Sequence, residues 1–217
     1  MTRLDPARVA ENAARVREEI AAAARRAGRD PAAVELLTAV KYVEVEDIGV
    51  LADAGLTLLG ENRAQRLEAK VAAWPDRALR WHFIGRLQSR KVKQVLPLVE
   101  LTHSVASDSA LAQLERHGTP ETEILVEVNV AGEEGKAGIA PGALRDFLAR
   151  APVRVVGLMG MPPFATDPEA SRPHFAALRE LAAEHGLAQL SMGTSQDYAV
   201  AVEEGATIVR LGSVLFE

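Results

Sequence analysis

The chain has 217 residues, 48% hydrophobic and 25% charged, the balance of a globular protein that buries a core, which excludes disordered and fibrous classes. Its net charge of −5 and 4% aromatic content argue against nucleic-acid binding, which needs many Lys/Arg–phosphate contacts and stacking platforms. The absence of cysteine removes disulfides, thiolate nucleophiles and thiolate-held metals together.

The first predicted element is a helix. Asp5-Pro6 reads as an N-cap followed by proline at the first helical position. Val9, Ala13, Val16, Ile20, Ala24 and Ala27 recur at helical spacing, and Gly28 ends the run. Residues 34–41 then form a mostly apolar run of strand length, as expected of a parallel strand buried on both faces. Further strands are expected at 56–60, 79–85, 100–105, 122–130, 153–161, 187–193 and 206–212. Helical patterns lie between them at 45–54, 63–72, 89–96, 107–117, 141–150, 168–185 and 195–204. Eight β-then-α units without a last helix predict a (β/α)8 TIM barrel, an α/β fold, over 1–217 as a single domain. The N-terminal helix is expected to fill the gap left in the outer ring. A doubly wound open sheet is the alternative, but the Gly-rich fingerprint it carries after its first strand is absent.

No apolar run approaches the roughly 20 residues of a membrane span, and Asp5, Glu11, Glu18 and Glu19 interrupt any secretory apolar segment. The expectation is a cytoplasmic protein that contacts neither membrane nor nucleic acid.

Barrel sites are built where strands end, and polar or small residues collect there. The first strand ends in Lys41, and the second runs into Gly60-Glu61-Asn62-Arg63. The third carries His82 and Gly85-Arg86, the fourth Ser104, and the fifth Asn129 before a loop with Lys136 and Gly138. The sixth ends in Met159-Gly160-Met161, the seventh in Ser191-Met192-Gly193-Thr194-Ser195 and the eighth in Arg210-Leu211-Gly212-Ser213. Burial of Lys41 at its strand end would lower its pKa and supply a neutral amine for a Schiff base; the plain alternative is a lysine emerging into solvent. The two Ser/Gly turns stand where barrels bind phosphate, with Ser195 expected to cap the following helix. Ordinary capping and turn formation is the plain alternative there. An amine and a phosphate pocket on one face together suggest pyridoxal phosphate.

Several stretches carry a resemblance: Ala39-Val40-Lys41, Gly60-Glu61-Asn62-Arg63, residues 81–89 (Trp81 to Ser89), Gly135-Lys136-Ala137-Gly138, Gly157-Leu158-Met159, residues 191–197 (Ser191 to Asp197) and residues 209–213 (Val209 to Ser213). In this order and spacing the chain resembles the pyridoxal phosphate homeostasis proteins, the YggS/PROSC family of PLP-binding proteins. The resemblance implies a barrel like the N-terminal domain of alanine racemase, holding pyridoxal 5'-phosphate as an internal aldimine on Lys41. It implies a phosphate cradle of Ser195, Gly212 and Ser213, with Arg210 facing the pyridine nitrogen. A permanently charged guanidinium keeps that nitrogen unprotonated and makes the ring a weaker electron sink. Asn62, Ser191, Met192 and Gly193 are implied to line the pocket, Met159 to pack near the ring, and Lys136 to serve as an auxiliary amine. The chain departs from the family pattern at Val40, where Ser or Thr is usual, and at Val43, where a second lysine is common. Thr194 stands in place of a usual Met, and the chain stops at Phe216-Glu217.

Three functions compete. One is a monomeric carrier that stores, buffers or delivers the cofactor, with apo-enzymes as recipients. The second is an amino-acid racemase, which needs a second acid/base group opposite the lysine. In alanine racemases a partner subunit's C-terminal domain supplies that group as a tyrosine. Only Tyr42 and Tyr198 are available here, and packing is the expected role of both, which favours the carrier. The third is a Schiff-base enzyme acting on a phosphorylated metabolite. His82, His103, His117, His174 and His185 lack zinc-ligand spacing, so no metal site is expected. The basic run Arg86, Arg90, Lys91 and Lys93 is expected to be a solvated face, with docking of recipient enzymes as the sharper alternative.

Overall fold

A computed structural model of the chain describes residues 3–75 and 78–217. Eight parallel strands close into a barrel in chain order. They are β1 (Glu35–Ala39), β2 (Leu58–Glu61), β3 (Arg80–Arg86), β4 (Leu101–Val105), β5 (Glu123–Glu127), β6 (Arg154–Met159), β7 (Gln189–Ser191) and β8 (Ile208–Leu211). Closure comes from β1 against β8, with Leu37 paired to Arg210 and Thr38 to Leu211.

The apolar runs are continuous because each strand is buried on both faces. Leu37, Leu58, Leu101, Leu125, Met159 and Ile208 fill the lumen. Val40, Leu59, Phe83, Val126, Leu158 and Val209 belong to the second apolar layer, between barrel and helices.

That outer ring consists of α1 (Pro6–Arg26), α2 (Ile48–Asp53), α3 (Ala64–Ala73), α4 (Val92–Val95), α5 (Asp108–His117), α6 (Leu144–Ala149), α7 (Arg172–Glu184), α8 (Tyr198–Glu203) and α9 (Ser213–Phe216). The Asp5 carboxylate caps α1 by accepting from the Ala7 and Arg8 amides, and Val9, Ala13, Val16 and Ile20 give it one buried face. It packs on α8, α9 and α2, filling the place after β8 as expected. The last helix is shortened rather than missing, since α9 forms one turn.

Four of the expected helices open on 3-10 turns, among them 45–47 ahead of α2 and 168–171 ahead of α7. The stretch 89–98 is α4 flanked by two 3-10 turns, the second containing Pro97, whose missing N–H cannot continue an α-helix. Residues 141–143 are likewise a 3-10 turn ahead of α6. At the N-terminal end of the barrel, Arg80 pairs with Glu35 at 2.5 Å and Glu100 at 2.8 Å, and Arg154 with Glu123 at 2.9 Å. Among the described residues no helix is long and apolar enough to cross a membrane.

Candidate functional site

Lys41 follows β1 by two positions, in the turn beyond the ladder. Strand alternation puts it on the parity of Leu37, the lumen side. Of the two readings of Lys41 the structure shows the solvent-facing one: it is exposed, with its ammonium 4.9 Å from the centre of the Tyr42 ring. The strand ends before it, so the amine stands at the mouth of the barrel instead of in its wall.

Its backbone is held from behind by α3. Lys70 donates 2.6 Å hydrogen bonds to the Val40 carbonyl and to Glu61 Oε2, and Arg66 donates to the Lys41 carbonyl at 2.6 Å. The other Glu61 oxygen accepts from the amides of Asn62 at 2.7 Å and Arg63 at 3.1 Å, shaping the turn after β2. Lys70 and Glu61 are both fully buried. Burial pulls the Lys70 ammonium below its ordinary pKa, and the hydrogen bond and charge of Glu61 pull it back.

The loops after β7 and β8 meet through Ser195. Its Oγ accepts from the Gly212 amide at 3.3 Å and the Val214 amide at 3.5 Å. This corrects one expectation: Ser195 does not cap the helix that follows it. That helix starts three residues later than expected, at Tyr198. Asp197 closes the intervening turn by accepting from the Thr194 amide at 2.7 Å, and its other oxygen accepts from Ser171 at 2.8 Å. Gly193 takes φ +92° there, a conformation L side chains avoid, and an added Cβ would stand 2.6 Å from the Ala201 side chain. A Cβ on Gly212 would lie 3.5 Å from the Ala39 carbonyl, so the β8 loop runs close along the end of β1, two residues from Lys41.

Arg210 points into the lumen. It donates to Ser191 Oγ at 2.6 Å and to the Gly160 carbonyl at 3.2 Å. Full burial holds its pKa down at about 10, while the charges of Asp197 and Glu127 oppose the shift. Glu127 is pushed up by its own burial, against the pull of Arg210 and Arg86. The expected pocket residues therefore divide. Lys41, Ser195, Gly212 and Ser213 lie past the strand ends at the C-terminal mouth, Asn62 is exposed on its rim, Arg210 is buried in the lumen, and Met159 packs there as well. The Met192 side chain turns away from the lumen into the apolar layer under the helices, so it does not line the lumen as expected. Ser191 is fully buried and serves as an internal link. Lys136 sits on the β5–α6 loop, ion-paired with Glu133. Tyr198 turns away to donate to Glu19 of α1.

Two clefts of about 340 and 410 Å³ open elsewhere, among strand starts and helix ends at the N-terminal side. They gather no amine or anion-binding loop, and barrel chemistry belongs to the opposite end.

A scan against models of known protein families finds no match. A pyridoxal phosphate homeostasis protein of Aquifex aeolicus is 42% identical over 219 residues, covering 95% of this chain and 96% of its own. The chain belongs to the pyridoxal phosphate homeostasis protein family. A second member, from Pseudomonas aeruginosa, is 39% identical over 96% of this chain and 94% of its own. Among solved structures, PipY of Synechococcus elongatus PCC7942 with PLP bound superposes with a TM-score of 0.81 at 30% identity, covering 96% of this chain and 100% of that one. Alanine racemase from Corynebacterium glutamicum shares the barrel, with a TM-score of 0.75 at 14% identity over 98% of this chain and 62% of its own.

Glu61, Arg66, Lys70, His103 and Asp197 are the residues that sequence reasoning left without a role. For Lys70 a signal existed: it shares the inward face of α3 with Ala64 and Leu67, where a charge needs a buried partner.

Proposed function

We propose that this chain holds pyridoxal 5'-phosphate at the C-terminal mouth of its barrel and serves the cell's supply of that cofactor. The observation that carries the reading is the placement of three groups. Lys41 follows the end of β1, along which the β8 loop runs, Ser195 gathers the Gly212 and Val214 amides of that loop, and Arg210 is buried in the lumen on β8. The donor set fits the group: hydroxyls and backbone amides suit a phosphate, a guanidinium suits the pyridine nitrogen, and a lysine suits an aldehyde.

When bound, pyridoxal phosphate supplies an aldehyde that condenses with amines and a ring that withdraws electrons. The chain's residues then have separate tasks. Lys41 offers the amine, and Arg66 and Lys70 fix its backbone through the Lys41 and Val40 carbonyls. Ser195, Gly212 and Ser213 hold the phosphate, and Asn62 and the Gly193 backbone border the pocket. Arg210 presents a positive donor that discourages protonation of the ring nitrogen. The reading includes release to apo-enzymes from a cytoplasmic monomer.

The test is borohydride reduction of protein loaded with pyridoxal phosphate, followed by peptide mass mapping. The reading expects the adduct on Lys41; a saturated protein labelled elsewhere contradicts it. Tyr42, beside the Lys41 ammonium, favours a second reading in which the tyrosine acts as the second base of a racemase. Rapid α-proton exchange of an added amino acid in deuterated solvent, lost in Tyr42→Phe, would establish that reading over storage.

A further inference from the structure

A polar chain crosses the lumen from β8 to β3. Arg210 Nη1 donates to Ser191 Oγ at 2.6 Å, and His103 Nδ1 lies 2.8 Å from the same oxygen. His103 Nε2 is 3.0 Å from His82 Nδ1, and His82 Nε2 faces Glu100 Oε2 at 3.9 Å. All four residues from Arg210 to His82 are buried.

The chain has one direction. A guanidinium donates and cannot accept. Ser191 Oγ therefore accepts from Arg210, and at the far end the Glu100 carboxylate, an acceptor, calls for the His82 proton on Nε2, so that His82 Nδ1 accepts from His103 and Ser191 directs its own hydrogen to His103 Nδ1. His103 then carries its proton on Nε2 and donates it to His82 Nδ1, which leaves the His82 proton on Nε2 facing Glu100. Burial keeps both rings neutral, His82 with a pKa of about 3 and His103 well below the ordinary value, so neither ring reverses the order by taking a second proton.

We propose that His103 is a positioning residue for the cofactor site: by accepting the Ser191 hydrogen it turns the oxygen's free lone pair toward Arg210 and sets the guanidinium in place. This rests on the reading that Arg210 faces the pyridine nitrogen of bound pyridoxal phosphate. A histidine that merely filled the lumen would affect stability while leaving ring tautomers and chromophore untouched.

The experiment has two parts. Ring-nitrogen NMR of the ligand-free protein at neutral pH is expected to show His103 and His82 both neutral and protonated on Nε2. A His103 protonated on Nδ1, or doubly protonated, overturns the proposal. Pyridoxal phosphate is then titrated into wild type, His103→Asn and His103→Leu, with absorbance spectra recorded across pH. The Asn side-chain oxygen stands near the lost Nδ1 and preserves the acceptor, so H103N should bind within about threefold of wild type with an unchanged spectrum. H103L, with no acceptor, should bind roughly tenfold more weakly and shift the pH midpoint of the bound chromophore. A folded H103L identical to wild type in both readouts overturns the proposal. Should H103L fail to fold, Ser191→Ala takes its place with the same expectation and the same contrary result. A wild-type protein that binds no pyridoxal phosphate sinks the functional reading instead, while the ligand-free spectrum still decides the hydrogen-bond chain.

Discussion

Lys70, on α3, places its ammonium 2.6 Å from the carbonyl of Val40, one residue ahead of Lys41. The same ammonium pairs with Glu61 at 2.6 Å, and both side chains are sealed from water. One buried cation thus ties the end of β1 to the end of β2 and fixes the backbone from which Lys41 projects.

Removing one member of a buried pair leaves an uncompensated charge, which costs about 3–5 kcal/mol. Lys70→Met should therefore lower the melting temperature by roughly 6–20 °C for a chain of this size. The Lys70→Met/Glu61→Gln double variant should recover part of that loss. Differential scanning calorimetry of the four proteins in the cycle checks this. A single variant as stable as wild type would show that the pair holds nothing in place.

Ser195 offers a cleaner test of the cradle. Ser195→Ala removes the hydroxyl that gathers the Gly212 and Val214 amides. One lost hydrogen bond to a charged group predicts roughly tenfold weaker binding of pyridoxal phosphate. Binding of pyridoxal, which has no phosphate, should change little. Titration with both compounds measures the contrast, and equal losses for the two would remove Ser195 from the phosphate site.

Gly193 sits at φ +92° with an added Cβ only 2.6 Å from Ala201. Gly193→Ala should cost about 2–3 kcal/mol from backbone strain and overpacking together. Its carbonyl also accepts from the Arg210 amide at 3.0 Å, so displacement would loosen Arg210 as well. Urea unfolding reports the stability loss, and an unchanged midpoint would contradict the geometry.

The two lumen histidines set a pH dependence. Both are depressed by burial, His82 to about 3. Between the ordinary histidine value near 6.5 and the folded one, the unfolded chain takes up protons that the folded chain refuses. Stability therefore falls as pH falls, with a slope of about 1.4 kcal/mol per pH unit for each fully differential histidine. Glu127, raised by burial, contributes in the opposite sense, because the folded state protonates first. Urea midpoints from pH 7 to 4.5 should drop steeply in wild type and less so in a His82→Asn/His103→Asn double variant. Parallel curves for the two proteins would assign the acid sensitivity to other groups.

What was legible in the chain follows from what determines it locally. All eight strands could be read because a two-sided apolar environment writes a continuous apolar run. The places of Lys41, Ser195, Arg210 and Gly212 at or past the C-terminal strand ends could be read because the strands themselves could, and barrels place chemistry there. The His82–His103 contact could not, because a strand buried on both faces gives no parity signal for which residues enter the lumen. The pairing of β3 with β4 also shifts register between Phe83 and Arg86, which moves facing residues out of simple alternation. Burial and exposure of Lys41 could not be told apart for a related reason: the apolar run continues through Val40 to the lysine, but the ladder ends at Ala39. The helix after β7 began late because Asp197, not Ser195, closes the turn, and both residue types satisfy the same capping rule.

The role proposed for Lys41 is that of the amine in a pyridoxal phosphate site. Its most direct measurement is the absorbance spectrum of the purified protein titrated with pyridoxal phosphate, beside that of Lys41→Ala. The wild type should develop a yellow, borohydride-sensitive band that saturates at one equivalent, and the variant should develop none. A colourless wild type at saturating pyridoxal phosphate, or an identical band in Lys41→Ala, would contradict the account.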